Sequence, residues 1–386
     1  MFMERIPLVK DTIDKNDINE LIDWLKTEPQ LTKGPLVVEF EKQWSKWLGR
    51  KHSIYVNSGS SANLAAIYSL ILSNKMRNKK IIVPAVSWVT TVTPAMHLGL
   101  EPIMCECDKN NLGLDITHLK QLIHIHKPSA IILVHVLGIP NHMDEIIELC
   151  KKHDILLIED SCEAIGSKYN GKNIGTFGEL STFSFYFGHH MSTIEGGMIS
   201  TDDEDLYHIL LSIRSHGWDR DLPEFKQKEL REKYNITDFR ALYTFYYPGF
   251  NLRATDLQAF IGLSQLGKID EIIEKRNKNF KLYQDGLKEQ TWKVKEPDNS
   301  FVSNFAYPII TTNIKYLVEK LKENNIDCRP LICGSIQEHP FWYEKYSKSS
   351  LPIAENVHLY GLYVPNNHQI TEEEINRIIT IVNKYA

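Results

Sequence analysis

The chain has 386 residues, of which 42% are hydrophobic and 24% charged, as in ordinary globular proteins. Its 44 basic and 49 acidic side chains give a formal charge of −5, which offers no basic surface for nucleic acid or an anionic membrane. We find no apolar stretch near the ~20 residues that span a bilayer, and no signal-peptide pattern. Six cysteines without a CxxC pair suit a reduced compartment. We therefore expect a cytoplasmic protein of two to three domains.

Strands and helices alternate regularly through the first half of the chain. Strands are predicted at 52–56, 80–83, 102–105, 130–134 and 155–158, and helices at 62–72, 89–98, 116–125 and 144–153. This alternation is typical of βαβ units and predicts an α/β fold with a mostly parallel sheet covered on both faces.

The second half follows a different pattern. A helix at 204–215 precedes a long segment, 217–249, which is rich in charged and aromatic residues and is predicted to be a functional or mobile loop. Further helices are predicted at 254–266 and 269–285. We place a domain boundary near residue 250, giving a large domain of residues 1–250 and a small C-terminal domain of residues 251–386. Residues 1–30 are candidates to pack on the small domain.

A candidate phosphate site lies where the first strand turns into a helix, in Tyr55-Val-Asn-Ser-Gly-Ser-Ser-Ala-Asn63. Gly59 permits the tight turn, and free amides at the helix N-terminus, with the hydroxyls of Ser60 and Ser61, would hold an anion. The alternative is that Ser60 only caps the helix. Both readings remain open on this motif alone.

Two more candidates follow strands at the same predicted sheet edge. Asp160 ends a buried strand, where a carboxylate could bond a cationic ring nitrogen, and Glu163 could line the same pocket. The alternative is that Asp160 caps a helix beginning near Cys162. Trp88 offers a face for stacking on an aromatic ring, or is an ordinary packed aromatic residue.

Eight segments in order resemble the DegT/DnrJ/EryC1/StrS sugar aminotransferase family of fold-type-I pyridoxal-phosphate enzymes. Among them are Ser58-Gly-Ser-Ser-Ala-Asn, Glu159-Asp-Ser-Cys-Glu-Ala, Glu195-Gly-Gly and Asn251-Leu-Arg-Ala-Thr-Asp. The resemblance covers nearly the whole chain. It implies an aspartate-aminotransferase-like α/β fold: a large domain with a mostly parallel, seven-stranded mixed sheet, and a smaller C-terminal α/β domain.

One position departs from the aminotransferases of that family. They place the cofactor-binding lysine six residues before the Glu of Glu-Gly-Gly, and here that residue is His189, followed by His190. The pair resembles the dehydratase branch of the family. Because imidazole forms no stable covalent link to the cofactor, His189 is the candidate catalytic residue that moves a proton near neutral pH.

The resemblance also implies roles for other residues. Gly59, Ser60 and Ser184 would hold the cofactor phosphate, Trp88 would stack on its ring, and Asp160 and Glu163 would flank it. Asn251 and Arg253 would reach the phosphate site of the other subunit of a homodimer. Substrate would be bound by His216, Arg220 and Arg329. The alternative for His216 is a surface histidine, and for Arg253 and Arg329 it is an exposed, solvated arginine.

The implied reaction is C3 dehydration of a nucleotide-linked 4-keto-6-deoxyhexose, with GDP-4-keto-6-deoxymannose as the first expectation. Its cofactor would be pyridoxamine phosphate, not covalently tethered and regenerated by L-glutamate. The alternatives are a nucleotide-sugar aminotransferase and a non-catalytic member. No metal site is expected. An iron–sulfur cluster with a reductase partner is disfavoured, because Cys105 and Cys107, predicted on one strand face, have no second pair.

Overall fold

The computed structural model describes residues 4–386, in which strands and helices alternate as far as residue 160. The strands are β1 (His52–Val56), β2 (Lys80–Pro84), β3 (Glu101–Cys105), β4 (Ala130–Val134), β5 (Leu156–Asp160), β6 (Lys168–Tyr169), β7 (Lys172–Asn173), β8 (Leu180–Ser184), β9 (Gly197–Thr201), β10 (Ser300–Phe301), β11 (Tyr307–Ile310), β12 (Arg329–Pro330) and β13 (Gly361–Val364).

The helices cover both faces of the main sheet and build the C-terminal part. They are α1 (Lys15–Leu25), α2 (Pro35–Leu48), α3 (Gly59–Leu72), α4 (Val89–His97), α5 (Ile116–His126), α6 (Met143–His153), α7 (Glu204–Arg214), α8 (Glu224–Lys233), α9 (Asp238–Ala241), α10 (Asp256–Leu266), α11 (Ile269–Gly286), α12 (Ile314–Glu323), α13 (Pro340–Tyr343), α14 (Pro352–Tyr360) and α15 (Glu372–Tyr385).

The main sheet has, within residues 4–386, seven strands in the order β1-β9-β8-β5-β4-β2-β3. Neighbouring strands from β8 to β3 are parallel, whereas β9 is antiparallel to both β1 and β8. Every residue of β4 is buried, as expected for a strand with helices on both faces. The predicted mostly parallel mixed sheet is thereby confirmed.

The segment predicted as a loop over 217–249 contains two helices, so that prediction was wrong for α8 and α9. The α8 sequence is almost entirely polar, and its side chains pair along the helix, as Lys226 does with Glu229 at 2.9 Å. Such pairs stabilise a helix that has no apolar period for sequence analysis to detect.

Strands β11, β13 and β12 form a second sheet, and a separate hydrophobic core includes residues of β11, β13, α11, α12 and α15. The N-terminal segment joins this part of the molecule: Ile6 bridges to Ile326, and Arg5 pairs with Asp327 at 2.8 Å. Residues just beyond Ile6 are thereby held beside the main sheet.

Helix α11 connects this core to the one around α2. Ile269 and Ile273 pack in the core around α2, while Phe280 and Tyr283, further along the same helix, pack in the C-terminal core. In residues 4–386 no helix is both long enough and apolar enough to cross a membrane.

Candidate active site

A cavity of about 370 Å³ opens at the carboxyl edge of the parallel strands. The ends of β5 and β8 and the start of α3 form its floor, which is where open α/β sheets bind ligands. The C-terminal part contributes a wall from three segments, around residues 305, 329–332 and 363. Of the residues singled out from the sequence, those lining it are Gly59, Ser60, Trp88, Asp160, Glu163, Ser184, His189 and Arg329.

The start of α3 presents unpaired donors to this cavity. Ser58, in extended conformation, is the N-cap, and its Oγ accepts a 3.0 Å hydrogen bond from the Ser61 amide. The alternative in which Ser60 caps the helix is therefore wrong. The amides of Gly59 and Ser60 donate to no acceptor in residues 4–386, so both are available to an anion.

Glycine at position 59 is required by the close approach of β8. A Cβ on Gly59 would lie 2.6 Å from Ser184 Cβ, far inside van der Waals contact. The backbone of the Glu-Gly-Gly segment also packs here, because a Cβ on Gly197 would overlap the Ser58 carbonyl. Both glycines therefore allow the start of α3, the end of β8 and the Glu-Gly-Gly segment to pack closely beside the candidate phosphate site.

Asp160, the last residue of β5, is 3% exposed and held by neutral donors alone in the described part of the chain. Its Oδ2 accepts hydrogen bonds from Asn63 Nδ2 at 2.8 Å and Thr91 Oγ1 at 2.7 Å. Its Oδ1 accepts one from the Cys162 amide at 3.2 Å. No helix begins at Cys162, so the alternative of a helix cap is wrong. A buried carboxylate without a cationic partner is suited to a cation that arrives with a ligand.

Glu163 lies on the same side of the cavity but in a different electrostatic environment. Burial raises the pKa of Glu163 to about 7, a hydrogen bond from the Leu137 amide opposes the rise, and Asp160 adds to it. Near neutral pH this carboxyl is therefore divided between its neutral and ionised forms. Trp88 precedes α4, and its side chain is 55% exposed beside the cavity, so the indole has a free face for stacking.

The two adjacent histidines point in different directions. His189 lines the cavity, and its ring packs against Phe305 at 5.3 Å between centroids. Its buried Nδ1 has no hydrogen-bond partner among the described residues. Burial lowers the pKa of His189 to about 4, the Cys162 backbone opposes this, and the charge of Arg276 lowers it further. His190 is fully buried outside the cavity lining, with Nε2 bonded to the Ser303 carbonyl at 3.0 Å.

Four predicted site residues do not line the cavity of this chain: Asn251, Arg253, His216 and Arg220. Asn251 bridges to Ser215, and Arg253 bridges to Val56. The guanidinium of Arg220 lies 3.8 Å above the Trp218 ring. His216 has a positive φ of 60°.

Sequence analysis missed several residues that the fold brings to the cavity. Glu195 and Asn63 were quoted only as parts of motifs. The others carry no local signal in the sequence, because they come from distant segments: Leu8, Val9, Thr91, Tyr186, Phe187, Phe305 and Tyr363.

The cysteines were also partly misjudged. Cys105 and Cys107 belong to different cores, because β3 ends at Cys105 and its alternation does not continue. No group of metal-ligating side chains is found among residues 4–386.

These features can be tested against pyridoxal or pyridoxamine phosphate as a ligand. The free amides at Gly59 and Ser60 suit its phosphate, the exposed Trp88 indole suits its ring, and the uncompensated Asp160 carboxylate suits its protonated ring nitrogen. The residues present therefore fit this cofactor. No lysine is found among the described residues that line the cavity, so nothing there would hold it covalently.

Comparison with known proteins agrees with this geometry. A 3-dehydratase of GDP-4-keto-6-deoxy-D-mannose from Yersinia pseudotuberculosis is 36% identical over 99% of both chains. The lipopolysaccharide biosynthesis protein RfbH of Salmonella typhimurium is 32% identical over 81% of this chain and 76% of its own.

A solved structure of a GDP-4-keto-6-deoxymannose-3-dehydratase with a trapped PLP-glutamate geminal diamine superposes with a TM-score of 0.89. It is 34% identical and covers 97% of this chain and 99% of its own. The model of the DegT/DnrJ/EryC1/StrS aminotransferase family matches residues 11–383. This chain belongs to the DegT/DnrJ/EryC1/StrS aminotransferase family.

Proposed function

We propose that this protein is a pyridoxal-phosphate-dependent lyase that removes the C3 hydroxyl of a nucleotide-linked 4-keto-6-deoxyhexose, GDP-4-keto-6-deoxymannose. One observation carries the proposal: the cavity that fits the cofactor is lined by His189 and by no lysine in the described part of the chain. A lysine is needed to tether the cofactor for ordinary transamination. The 36% identical Yersinia relative has this dehydratase activity in its name, which supports the same assignment.

The cofactor, as pyridoxamine phosphate, supplies an amine for the C4 ketone and a ring that accepts electrons. Gly59, Ser60 and Ser184 bind its phosphate. Asp160 holds the proton on its ring nitrogen, since the carboxylate is fixed by two side-chain donors and has no competing protein cation in residues 4–386. Trp88 holds the ring in place.

His189 removes and returns protons in this proposal. Its low pKa keeps the imidazole neutral above pH ~5, so its ring can accept a proton at neutral pH. Its Nδ1 is buried and has no hydrogen-bond partner in residues 4–386. Glu163, with a pKa of about 7, is placed to bind the cofactor or the sugar in neutral or ionised form. L-glutamate is the amino donor, consistent with the glutamate adduct in the solved relative.

The proposed active unit is a homodimer with shared sites. Ile18, Ile22 and Leu25 form an exposed apolar stripe on α1, at the spacing of one helix face. Asn251 and Arg253 lie outside the cavity of their own chain, which leaves them available to the site of a second copy. His216 and Arg220 are assigned to the substrate of that same second site, and Arg329 to the substrate in its own chain.

The product would be a 3-deoxy keto-sugar, released with ammonia, and we place its formation in the cytoplasm. The resemblance to a lipopolysaccharide biosynthesis protein supports use of this sugar in O-antigen.

Product analysis tests the reaction directly. The protein is incubated with pyridoxal phosphate, L-glutamate and a panel of 4-keto nucleotide sugars, and the products are weighed by mass spectrometry. Dehydration predicts loss of the C3 oxygen with ammonia release, whereas transamination would give an amino sugar that keeps it. Borohydride reduction provides a second test, because cofactor found covalently bound to the chain would contradict the untethered site.

A further inference from the structure

Arg276 is a buried cation without a buried anion. It lies on α11, its side chain is among the interior residues at 2% exposure, and no carboxylate pairs with it in residues 4–386. Burial lowers the pKa of Arg276 to about 9. A buried guanidinium without an anionic partner destabilises the fold unless local dipoles stabilise its charge.

Those dipoles come from the cavity wall. Arg276 Nη1 donates hydrogen bonds to the carbonyl oxygens of Phe305 at 2.8 Å, Asn304 at 3.3 Å and Asn366 at 2.5 Å. The Asn366 amide returns a bond of 3.1 Å to the Arg276 carbonyl. The guanidinium therefore ties α11 to the segment 304–305 and to the chain after β13.

The same wall supports the two histidines. The rings of His189 and His190 both pack against Phe305, and His190 Nε2 bonds to the carbonyl of Ser303. The segment 303–305 is therefore bonded on one side by Arg276 and on the other by the loop that carries His189.

The wall also reaches the acidic side of the cavity. Asn304 Nδ2 donates to the Leu137 carbonyl at 2.8 Å, and the Leu137 amide donates to Glu163 at 2.8 Å. Movement of the segment 303–305 would thus disturb both titratable sides of the site.

We propose that Arg276 is a positioning residue for His189: it fixes the segment 303–305, whose Phe305 ring packs against the imidazole. The charge of Arg276 also favours the neutral imidazole. This inference rests on the proposed function, in which His189 moves protons. Arg276 is not proposed to touch cofactor or substrate.

The charge around His189 is mixed, so the effect of Arg276 must be separated from the rest. Burial lowers the pKa of His190 well below its ordinary value, and Arg276 lowers it further. The other titratable groups that line the cavity are Asp160, Cys162, Glu163, Tyr186, Glu195, Arg329 and Tyr363. All of them are retained when Arg276 alone is replaced.

The test measures the protonation of His189 directly, by NMR of the ¹³C-labelled histidine rings in the full-length protein, with the signal assigned by its loss in His189→Asn. We expect the wild-type ring to titrate near pH 4. In Arg276→Met the pKa should rise but stay below the ordinary ~6.5, because burial, the larger cause of the lowering, is unchanged. Arg276→Gln, which keeps a donor for the carbonyls, should raise it as well, since it too lacks the charge.

Lys278→Met is the matched control, because Lys278 lies two residues away on α11 and its side chain is 66% exposed. It should leave the His189 titration unchanged. The turnover assay adds a second readout: Arg276→Met should lower kcat by up to ~10²-fold through misplacement of the base, with little change in KM.

A wild-type His189 that titrates near pH 6.5 overturns the inference, even if both variants fail to fold. An unmoved titration in a folded Arg276→Met protein overturns it too. Because the titration needs no substrate, failure of the dehydration assay would count against the proposed function and leave this measurement decisive for Arg276.

Discussion

The side-chain amide of Asn63 donates a 2.8 Å hydrogen bond to Oδ2 of Asp160 and so connects α3 to the end of β5. Asn63 Oδ1 in turn accepts a 2.6 Å bond from Thr182 Oγ1 on β8. The Asp160 carboxylate is therefore held by α3, the helix whose N-terminus forms the candidate phosphate site. The carboxylate that would bind the ring nitrogen and the amides that would bind the phosphate are thus held at a fixed distance from each other before the cofactor binds.

Replacing Asp160 tests this arrangement. Asp160→Asn should weaken cofactor binding by ~10–100-fold, because it removes a charge-assisted hydrogen bond to the ring nitrogen. Equilibrium titration followed by absorbance measures the change. Glu159→Gln is the neighbouring control: Glu159 accepts bonds from the amides of Gly175, Phe177 and Gly178, so its loss should lower thermal stability and leave cofactor affinity nearly unchanged. Equal loss of affinity in both variants would contradict the proposed role.

The two histidines should behave differently on substitution. His189→Asn should reduce dehydration by ~10²–10⁴-fold, as expected when a proton-transfer group is lost, while cofactor binding persists. His190→Asn should reduce it less, because His190 does not line the cavity and only anchors its loop to Ser303. Single-turnover rates with preloaded cofactor measure both. The reverse order of effects would assign the proton transfer to His190.

Glu163 should make stability depend on pH in a defined direction. Its pKa is raised to about 7 in the folded protein, against ~4.3 in an unfolded chain, so the folded state keeps the proton longer. The protonated Glu163 carboxyl contributes its full share to the free energy of unfolding below pH ~4.3, and this contribution is lost as pH rises through 7. Glu163→Gln should therefore equal wild type at low pH and exceed it at pH 8 by up to about 4 kcal/mol.

Urea unfolding of the cofactor-free protein at several pH values measures this difference. Comparing variant with wild type at each pH cancels the opposite contribution of His189. Glu145→Gln, on the exposed side of α6, is the control and should leave the free energy of unfolding within about 0.5 kcal/mol of wild type. A pH-independent difference for Glu163→Gln would refute the prediction.

Sharing of sites between two copies can be tested by complementation. Arg253→Ala and His189→Asn proteins should each be inactive alone. After unfolding and refolding together, mixed dimers carry one intact site, so activity should return to up to about a quarter of wild type. Two His189→Asn preparations refolded together provide the control. No recovery in mixtures shown to contain mixed dimers would place Arg253 in the site of its own chain.

Local patterns were sufficient for much of the fold. The strand His52–Val56 was predicted with correct ends, and the other predicted strands of the main sheet were within two residues, because each is a short apolar run between turns. Helix α8 was missed, since its stability comes from charged pairs and not from an apolar face. The domain boundary near residue 250 stays a prediction.

Sequence analysis could identify site residues where a strand end marks them or, as for His189, where a family motif does. Gly59, Asp160 and Ser184 follow or end strands of one sheet, and the fold brings them to one cavity. Phe305, Leu8 and Arg276 could not be found this way, because their positions depend on long-range packing of segments without motifs. The roles assigned to the site residues stay predictions until the variants are measured.

The N-terminal segment has a practical consequence for work with this protein. Leu8 and Val9 line the cavity, and the bridge from Ile6 to Ile326 keeps them there. An affinity tag or a truncation placed just ahead of this segment is expected to disturb the part of the cavity lining that Leu8 and Val9 form. Helix α15 contributes no residue to the cavity, so a tag after Ala386 is the safer choice. Kinetic constants from preparations tagged at opposite ends should not be pooled.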